Sequence, residues 1–349
     1  IVLLLLYSIM IYLLNENTFT LKSIFSLSVI ILIFLIIDKI DLYKIITERS
    51  INHQLLFIIL FFLVVDYLFA FDLKDYFTGA VRGSGLFNER SHLAIYSLPL
   101  IFFSLLRFKS FLPYALIAFS VLFFNSLTLI VGLALFFGTL FLKSLVLYPL
   151  RSLKYIIIIF LVFILAILQL DFLYARVEGV LLFIDNLDKI KTITSKELET
   201  YLSGLVWING WVMAYDNLVY SNYLGLGFNN MGINPNAGLS FPSHFGYNYD
   251  ILNAEDGSFL ASKLVSEFGL IGVLILLVLS YMCFRNIIRF CKTKNEDSYN
   301  LIISLKFISS ILLLSYLFVR GIGYFQLSFL LYLHILFLNQ NLAEKDYEK

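Results

Sequence analysis

Residues 259–284 read FLASKLVSEFGLIGVLILLVLSYMCF. A helix needs about 20 mostly apolar residues to cross a bilayer, and this run is long enough, with Glu267 and Gly269 inside it. Its reading as a span decides the class of the whole protein, because runs of the same kind recur on both sides. They are Ile1 to Leu14, Leu21 to Ile37, Leu55 to Phe71, Leu93 to Leu106, Phe111 to Phe124, Leu127 to Leu147, Tyr155 to Leu170, Leu301 to Val319 and Ile322 to Leu338. Phe111 to Leu147 is too long for one crossing and divides at Asn125-Ser126. The expectation is an all-α polytopic membrane protein, a helical bundle of about ten or more transmembrane helices. Long alternation of the barrel kind is absent from the sequence, and lipid tolerates only helices or closed barrels.

Composition agrees. The 349 residues are 60% hydrophobic, 17% aromatic and only 14% charged, with a mean hydropathy of +0.89, which excludes an ordinary soluble domain. The formal net charge is +1 and the charges gather in loops rather than in a basic domain, so no nucleic-acid partner is expected. Cys283 and Cys291 fall at the end of one span and in the loop after it; their spacing fits neither a zinc site nor a disulfide framework, and they read as ordinary thiols. Ile1 to Leu14 has no basic n-region and is not read as a signal peptide.

Lysine and arginine collect in the inner loops of membrane proteins. Lys39, Lys44 and Arg49 share one loop, Arg107 and Lys109 a second, Lys143, Arg151 and Lys154 a third, and Arg285, Arg289, Lys292 and Lys294 a fourth. With those four inside, alternation places loops 72–92 and 171–258 and the turn at Arg320-Gly321 outside. Three parts follow: helices within 1–170, interrupted by the short outer loop 72–92; the large outer loop 171–258; and the final helices and inner tail, 259–349.

The outer segments hold the groups able to do chemistry. The first loop packs Arg82, Glu89, Arg90 and His92 against a helix start, with Ser91 or Asn88 placed to cap it. Arginine beside lipid is costly without a partner, although a solvated, well-capped loop would read the same. Arg320 sits in a turn short enough to hold its guanidinium at the membrane boundary, where it either snorkels or joins Arg82 and Arg90 on an anion. Paired guanidinium donors suit a diphosphate. In the large loop, Glu255 and Asp256 precede Ser258 and the helix carrying Glu267. They either cap that helix or take a proton from a sugar hydroxyl, and His244 is a rival for that task. Arg176 lies at the start of the same loop. Asp66 falls inside the third span, roughly 8 Å below its outer end, with an outer arginine as its expected partner. The helix Tyr201 to Tyr220, with Trp207, Trp211 and Tyr215, reads as interfacial, or else its aromatic rings stack on sugars. Gly138 to Ser144 lacks the second glycine of a nucleotide-phosphate loop, and no metal-ligand spacing appears. No metal or cofactor is expected, so energy would come from an activated substrate.

Three of these places resemble the bacterial O-antigen polymerase (Wzy-type) family, within the O-antigen polymerase/ligase superfamily. Arg82-Gly83-Ser84-Gly85-Leu86-Phe87-Asn88-Glu89-Arg90-Ser91-His92 is similar to that family's arginine, glycine, phenylalanine, then Glu-Pro-Ser-His pattern. Gly225-Leu226-Gly227-Phe228 resembles the Gly-x-Gly of its large periplasmic loop, and Asp256-Gly257-Ser258 through Glu267-Phe268-Gly269 resembles the loop exit. The chain departs from the family at Arg90, where proline is common, and at Asp256, where the ligases carry histidine. The second departure points to polymerase rather than ligase.

The resemblance implies a GT-C-like membrane glycosyltransferase of the bacterial inner membrane, acting on the periplasmic face without metal or cofactor. Donor and acceptor would be undecaprenyl-diphosphate-linked glycans, and a chain-length regulator protein is a further partner that it implies. Arg82, Arg90, Arg320 and Arg176 would then hold the diphosphate, with Glu89 orienting an arginine. Asp256, or Glu255 or His244, would activate the acceptor hydroxyl. Two alternatives are an O-antigen ligase, which moves the glycan to lipid A core, and a lipid-linked oligosaccharide flippase, which would line a path through the bundle with charges.

Overall fold

In the computed structural model the described residues are 28–33, 35–36, 48–69, 90–108, 111–123, 126–147, 195–238, 257–293, 299–321, 323–324 and 326–338. Regular structure among them is helical throughout. The α-helices are α1 (Arg49–Phe69), α2 (Arg90–Arg107), α3 (Leu112–Phe123), α4 (Leu127–Leu147), α5 (Ser195–Tyr220), α6 (Leu260–Lys292), α7 (Tyr299–Phe318) and α8 (Leu327–Phe337), with a 3-10 turn at Met231–Ile233. Leu127–Leu147, Leu260–Lys292 and Leu301–Phe318 are long and apolar enough to cross a membrane. Arg49–Val64, His92–Arg107, Leu112–Val121 and Ser328–Phe337 are shorter apolar helices. The chain is thus a helical membrane protein.

Several expected boundaries hold. The helices α3 and α4 separate around Asn125-Ser126, and the large-loop helix is present but starts earlier, at Ser195. Other expectations need correction. Ser91 lies inside α2 rather than capping it. Arg285, Arg289, Lys292 and Cys291 are not in a loop, because α6 runs on to Lys292; cations in a last turn offset the negative end of the helix dipole. The final helix begins at Leu327, not Ile322, since Gly323 takes a φ of 101° and the chain is still turning at Tyr324. The expected spans Ile1 to Leu14 and Tyr155 to Leu170 lie outside the described residues.

The chain divides into two compact units. One takes its described residues from 28–36, Leu170–Ser280 and Tyr316–Gln326; the other takes them from 48–147, Tyr281–Ser315 and 327–338. The second unit is held by flat aromatic contacts: Phe102 stacks on Phe136 at 4.1 Å, and Phe290 on Phe307 at 3.9 Å. Some of its polar groups pair across helices. Ser104 Oγ donates to Asn52 Oδ1 at 2.5 Å, and Lys306 Nζ donates to the Leu338 carbonyl at 2.7 Å. Proline at position 99 inside α2 has no N–H to offer the Ile95 carbonyl one turn back. That carbonyl instead accepts from the Tyr332 hydroxyl at 3.1 Å, so a buried acceptor is satisfied across helices.

In the first unit α6 departs from the continuous helix expected over Phe259 to Phe284. At Gly269 the backbone leaves helical geometry, with φ 58° and ψ −134°. Residues with a side chain rarely adopt that conformation. The chain of the large loop fills the break. Leu226 N–H donates to the Ser266 carbonyl at 3.0 Å, Gly227 N–H to the Glu267 carbonyl at 2.9 Å, and Leu270 N–H to the Tyr223 carbonyl at 3.1 Å. Backbone groups released by the kink are therefore re-paired, as an irregular turn next to lipid requires. The crossing is tight: a Cβ on Gly225 would lie 2.5 Å from the Glu267 carbonyl oxygen, and one on Gly269 would strike that of Tyr223.

Candidate functional site

The exit of the large loop, the helix break and the turn after α7 assemble within the first unit. Helix α5 carries an apolar side that meets the loop following it. Asn217 Nδ2 donates to the Met231 carbonyl at 3.1 Å, Gly238 N–H donates to Asp216 Oδ2 at 2.8 Å, and Met213, Met231 and Ala237 form a small core. The loop 221–238 is thereby folded back on its own helix. At the exit, Ser258 is a non-glycine residue in the left-handed region, φ 63°, a conformation that persists only when its surroundings fix it. Its hydroxyl donates to the Val206 carbonyl at 3.3 Å.

The turn carrying Arg320 meets this exit. Gly321 N–H donates to the Ser258 carbonyl at 3.1 Å, and Trp207 Nε1 donates to the Phe318 carbonyl at 2.8 Å. Arg320, half-buried, is thus held between them in sequence and beside the exit in space. Trp207 stacks on Phe259 at 5.8 Å and Trp211 lies 5.0 Å from the same ring. These two tryptophans pack the exit onto α5 while keeping part of their surface open, Trp207 being 37% exposed and Trp211 half-buried, and Tyr215 is exposed as well.

Beneath the exit, Leu260 to Phe268 are all buried, Lys263 and Glu267 included. One turn apart on the same face, these two form an ion pair with Lys263 Nζ 3.4 Å from Glu267 Oε1. A buried charge pair is tolerated only when further hydrogen bonds satisfy it. Asn229 supplies them: its N–H donates to Glu267 Oε2 at 2.8 Å, and its Oδ1 accepts from Lys263 Nζ at 3.3 Å. Asn229 itself has φ 58°, a left-handed conformation that asparagine tolerates better than most residues. Tyr324 closes the cluster. Its ring stacks on Phe228 at 4.8 Å with the Lys263 ammonium 5.7 Å from its centre, and its hydroxyl faces Glu267 without completing a hydrogen bond. Burial, and then the neighbouring carboxylate, hold that hydroxyl well above a phenol's ordinary pKa, so Tyr324 stays neutral. Lys263, Glu267 and Tyr324 are each buried, and the cluster ties together the loop, the exit helix and the turn that follows Arg320.

Of the residues expected to act, Arg320 is the one whose surroundings are described. Arg90 opens α2, in the second unit. Arg82, Glu89, Arg176, His244, Glu255 and Asp256 lie outside the described residues, the last two immediately before Gly257. Asp66 is within α1. Among the described residues no three metal-ligating side chains come together. The chain's own sequence held one clue to the buried cluster: Lys263 and Glu267 four apart in an apolar run, where ionisable groups are expensive and need a partner. Asn229 and Tyr324 carried no such signal. No protein-family model, curated protein or solved structure matches this chain.

Proposed function

We propose that the chain is a metal-independent, GT-C-like glycosyltransferase with about ten or more spans. It would polymerise undecaprenyl-diphosphate-linked repeat units into O-antigen or a related surface polysaccharide on the periplasmic face of the inner membrane. The observation that supports this reading is the hydrogen bond from Gly321 to Ser258. It fastens the arginine-bearing turn to the loop exit, and Glu255 and Asp256 come directly before that exit in the sequence.

In the reaction an acceptor sugar hydroxyl attacks the anomeric carbon of the donor glycan. A new glycosidic C–O bond forms, the bond from that carbon to the diphosphate oxygen breaks, and undecaprenyl diphosphate leaves with the electron pair. Arg320, with Arg82, Arg90 and Arg176, stabilises the charge that builds on the leaving group, and Glu89 orients an arginine. Asp256, or Glu255 or His244 in its place, accepts the hydroxyl proton. The growing chain and the next repeat unit both arrive on lipid carriers, which is why the site belongs at a bilayer surface, and a chain-length regulator is the expected protein partner.

The test uses purified protein and synthetic lipid-linked repeat units, with product length read on a gel. Wild type should build a ladder. Arg320→Ala and Asp256→Asn, at matched folding, should each lower turnover at least about a hundredfold, the scale of losing one preorganised charge or a general base. Ladders of wild-type length from both variants would reject the assignment, and transfer to a lipid A core in place of a ladder would reassign the chain as a ligase.

A further inference from the structure

We infer that the end of the large loop's helix and the turn after it form a membrane-contact surface. On this surface Tyr220, Tyr223 and Leu224 lie in the boundary between headgroups and acyl chains, beside the lipid-facing side of α6. The inference does not depend on the glycosyltransferase reading.

It begins with a change of environment at Gly269. Every residue from Leu260 to Phe268 is buried, whereas Leu270, Leu274 and Leu277 are 60%, 60% and 62% exposed. Their spacing puts them on one face of the helix. A bare leucine face on a helix long and apolar enough to span is what lipid covers. If the hydrocarbon begins at Gly269, the rest of α6 to Lys292 is about 34 Å long at 1.5 Å per residue. That length suits a core about 30 Å thick, with Arg285, Arg289 and Lys292 near its far end.

The loop is joined to this face at its first residue. Leu270 N–H donates to the Tyr223 carbonyl, so Tyr223 and the leucine that opens the apolar face share one depth. Around that bond Tyr220 is 60%, Tyr223 53% and Leu224 46% exposed, making the apolar surface continuous from helix to loop. Tyrosine is the residue type favoured at such a boundary, with its ring in the apolar layer and its hydroxyl in water. From Asn217 to Gly238 the sequence contains no charged residue, so no ionic group resists placement against the bilayer. The occupant is therefore lipid, reached by extension of the surface that the span already offers it.

The test labels single cysteines with an environment-sensitive fluorophore in full-length protein whose Cys283 and Cys291 are replaced by serine, reconstituted in phosphatidylcholine–phosphatidylglycerol liposomes. The labelled variants are Tyr220→Cys and Leu224→Cys, with Asn236→Cys, exposed on the loop, as the aqueous reference and Leu277→Cys as the lipid reference. At Tyr220 and Leu224, quenching by shallow nitroxide lipids should exceed that at Asn236 several-fold, and quenching by aqueous iodide should fall several-fold below it. Behaviour like that at Asn236 overturns the inference. So does protection from both quenchers, which would mean that protein, a second copy or a partner, covers the surface. The unsubstituted protein in nanodiscs gives a second reading by hydroxyl-radical labelling of Tyr220 and Tyr223. Rates several-fold below free tyrosine support the inference, and rates equal to it overturn it.

Discussion

The two parts of α6 on either side of Gly269 are the same helix to any hydropathy scan and different objects in the fold. Leu260 to Phe268 is enclosed by protein and holds Lys263 and Glu267 as a buried pair; Leu270 onward turns leucines outward and places no charge until Arg285. The first part is cut into by the loop segment Tyr223 to Gly227, which pairs its carbonyls; the second keeps an unbroken helical backbone and exposes a leucine face, while Cys283, Asn286 and Phe290 are buried by protein. The difference teaches that apolar length alone does not mark a membrane span. Charge that must be paired keeps a stretch within protein, whereas a stretch without charge is free to turn a face to lipid.

The sharpest way to break this contrast is to unbalance the pair. Glu267→Ala leaves the Lys263 ammonium buried without its carboxylate and should cost about 3–5 kcal/mol, read as a lower thermal midpoint in detergent and faster proteolysis of the loop. Glu267→Gln keeps an acceptor for the Asn229 N–H and should lose less. The double change Lys263→Met with Glu267→Leu removes both charges and should be milder than Glu267→Ala, since a matched apolar pair avoids the desolvation cost. Equal midpoints for Glu267→Ala and wild type would refute the account of the cluster as a fastening.

Gly269→Ala comes next. It asks alanine to adopt φ 58° while its Cβ presses on the Tyr223 carbonyl; about 2–3 kcal/mol is expected, again from the thermal midpoint. Were alanine tolerated, α6 would have to be continuous. Tyr324→Phe removes a buried hydroxyl that faces Glu267 without a completed hydrogen bond, so the loss should stay near 1 kcal/mol or below. The smallest effect belongs to the other side of the kink: Leu277→Ala, on the exposed face, should change the midpoint in lipid by no more than about 0.5 kcal/mol.

Hydrophobic periodicity and length made α4 legible to the residue, because Leu127 to Leu147 is predominantly apolar, with Lys143 its one charge, and is bounded by Asn125-Ser126. The same reading misjudged α6 twice. It ended the helix at Phe284, since arginines read as loop, although long cationic side chains are at home in a last turn. It also ran straight through Gly269, since one glycine in an apolar run has no fixed meaning until something approaches it. In the candidate site Arg320 was visible as a cation stranded in a short turn, but its neighbour Ser258 lies 62 positions earlier in the chain and no local pattern connects them. The tryptophans of α5 are recognisable as a cluster, but their contact with Phe259 is not, because an aromatic ring suits lipid, sugar or a protein interior equally well until its contacts are known.

What the sequence by itself determined was the solvent: long uncharged runs cannot fold in water without another layer to cover them, so a helical membrane protein follows from the order of residues alone. Where protein gives way to lipid along one such run was decided only by the tertiary structure. That boundary depends on a loop 40 or more residues upstream arriving to pair Ser266, Glu267 and Leu270, and pairing across such a distance in the chain is a property of the packed fold.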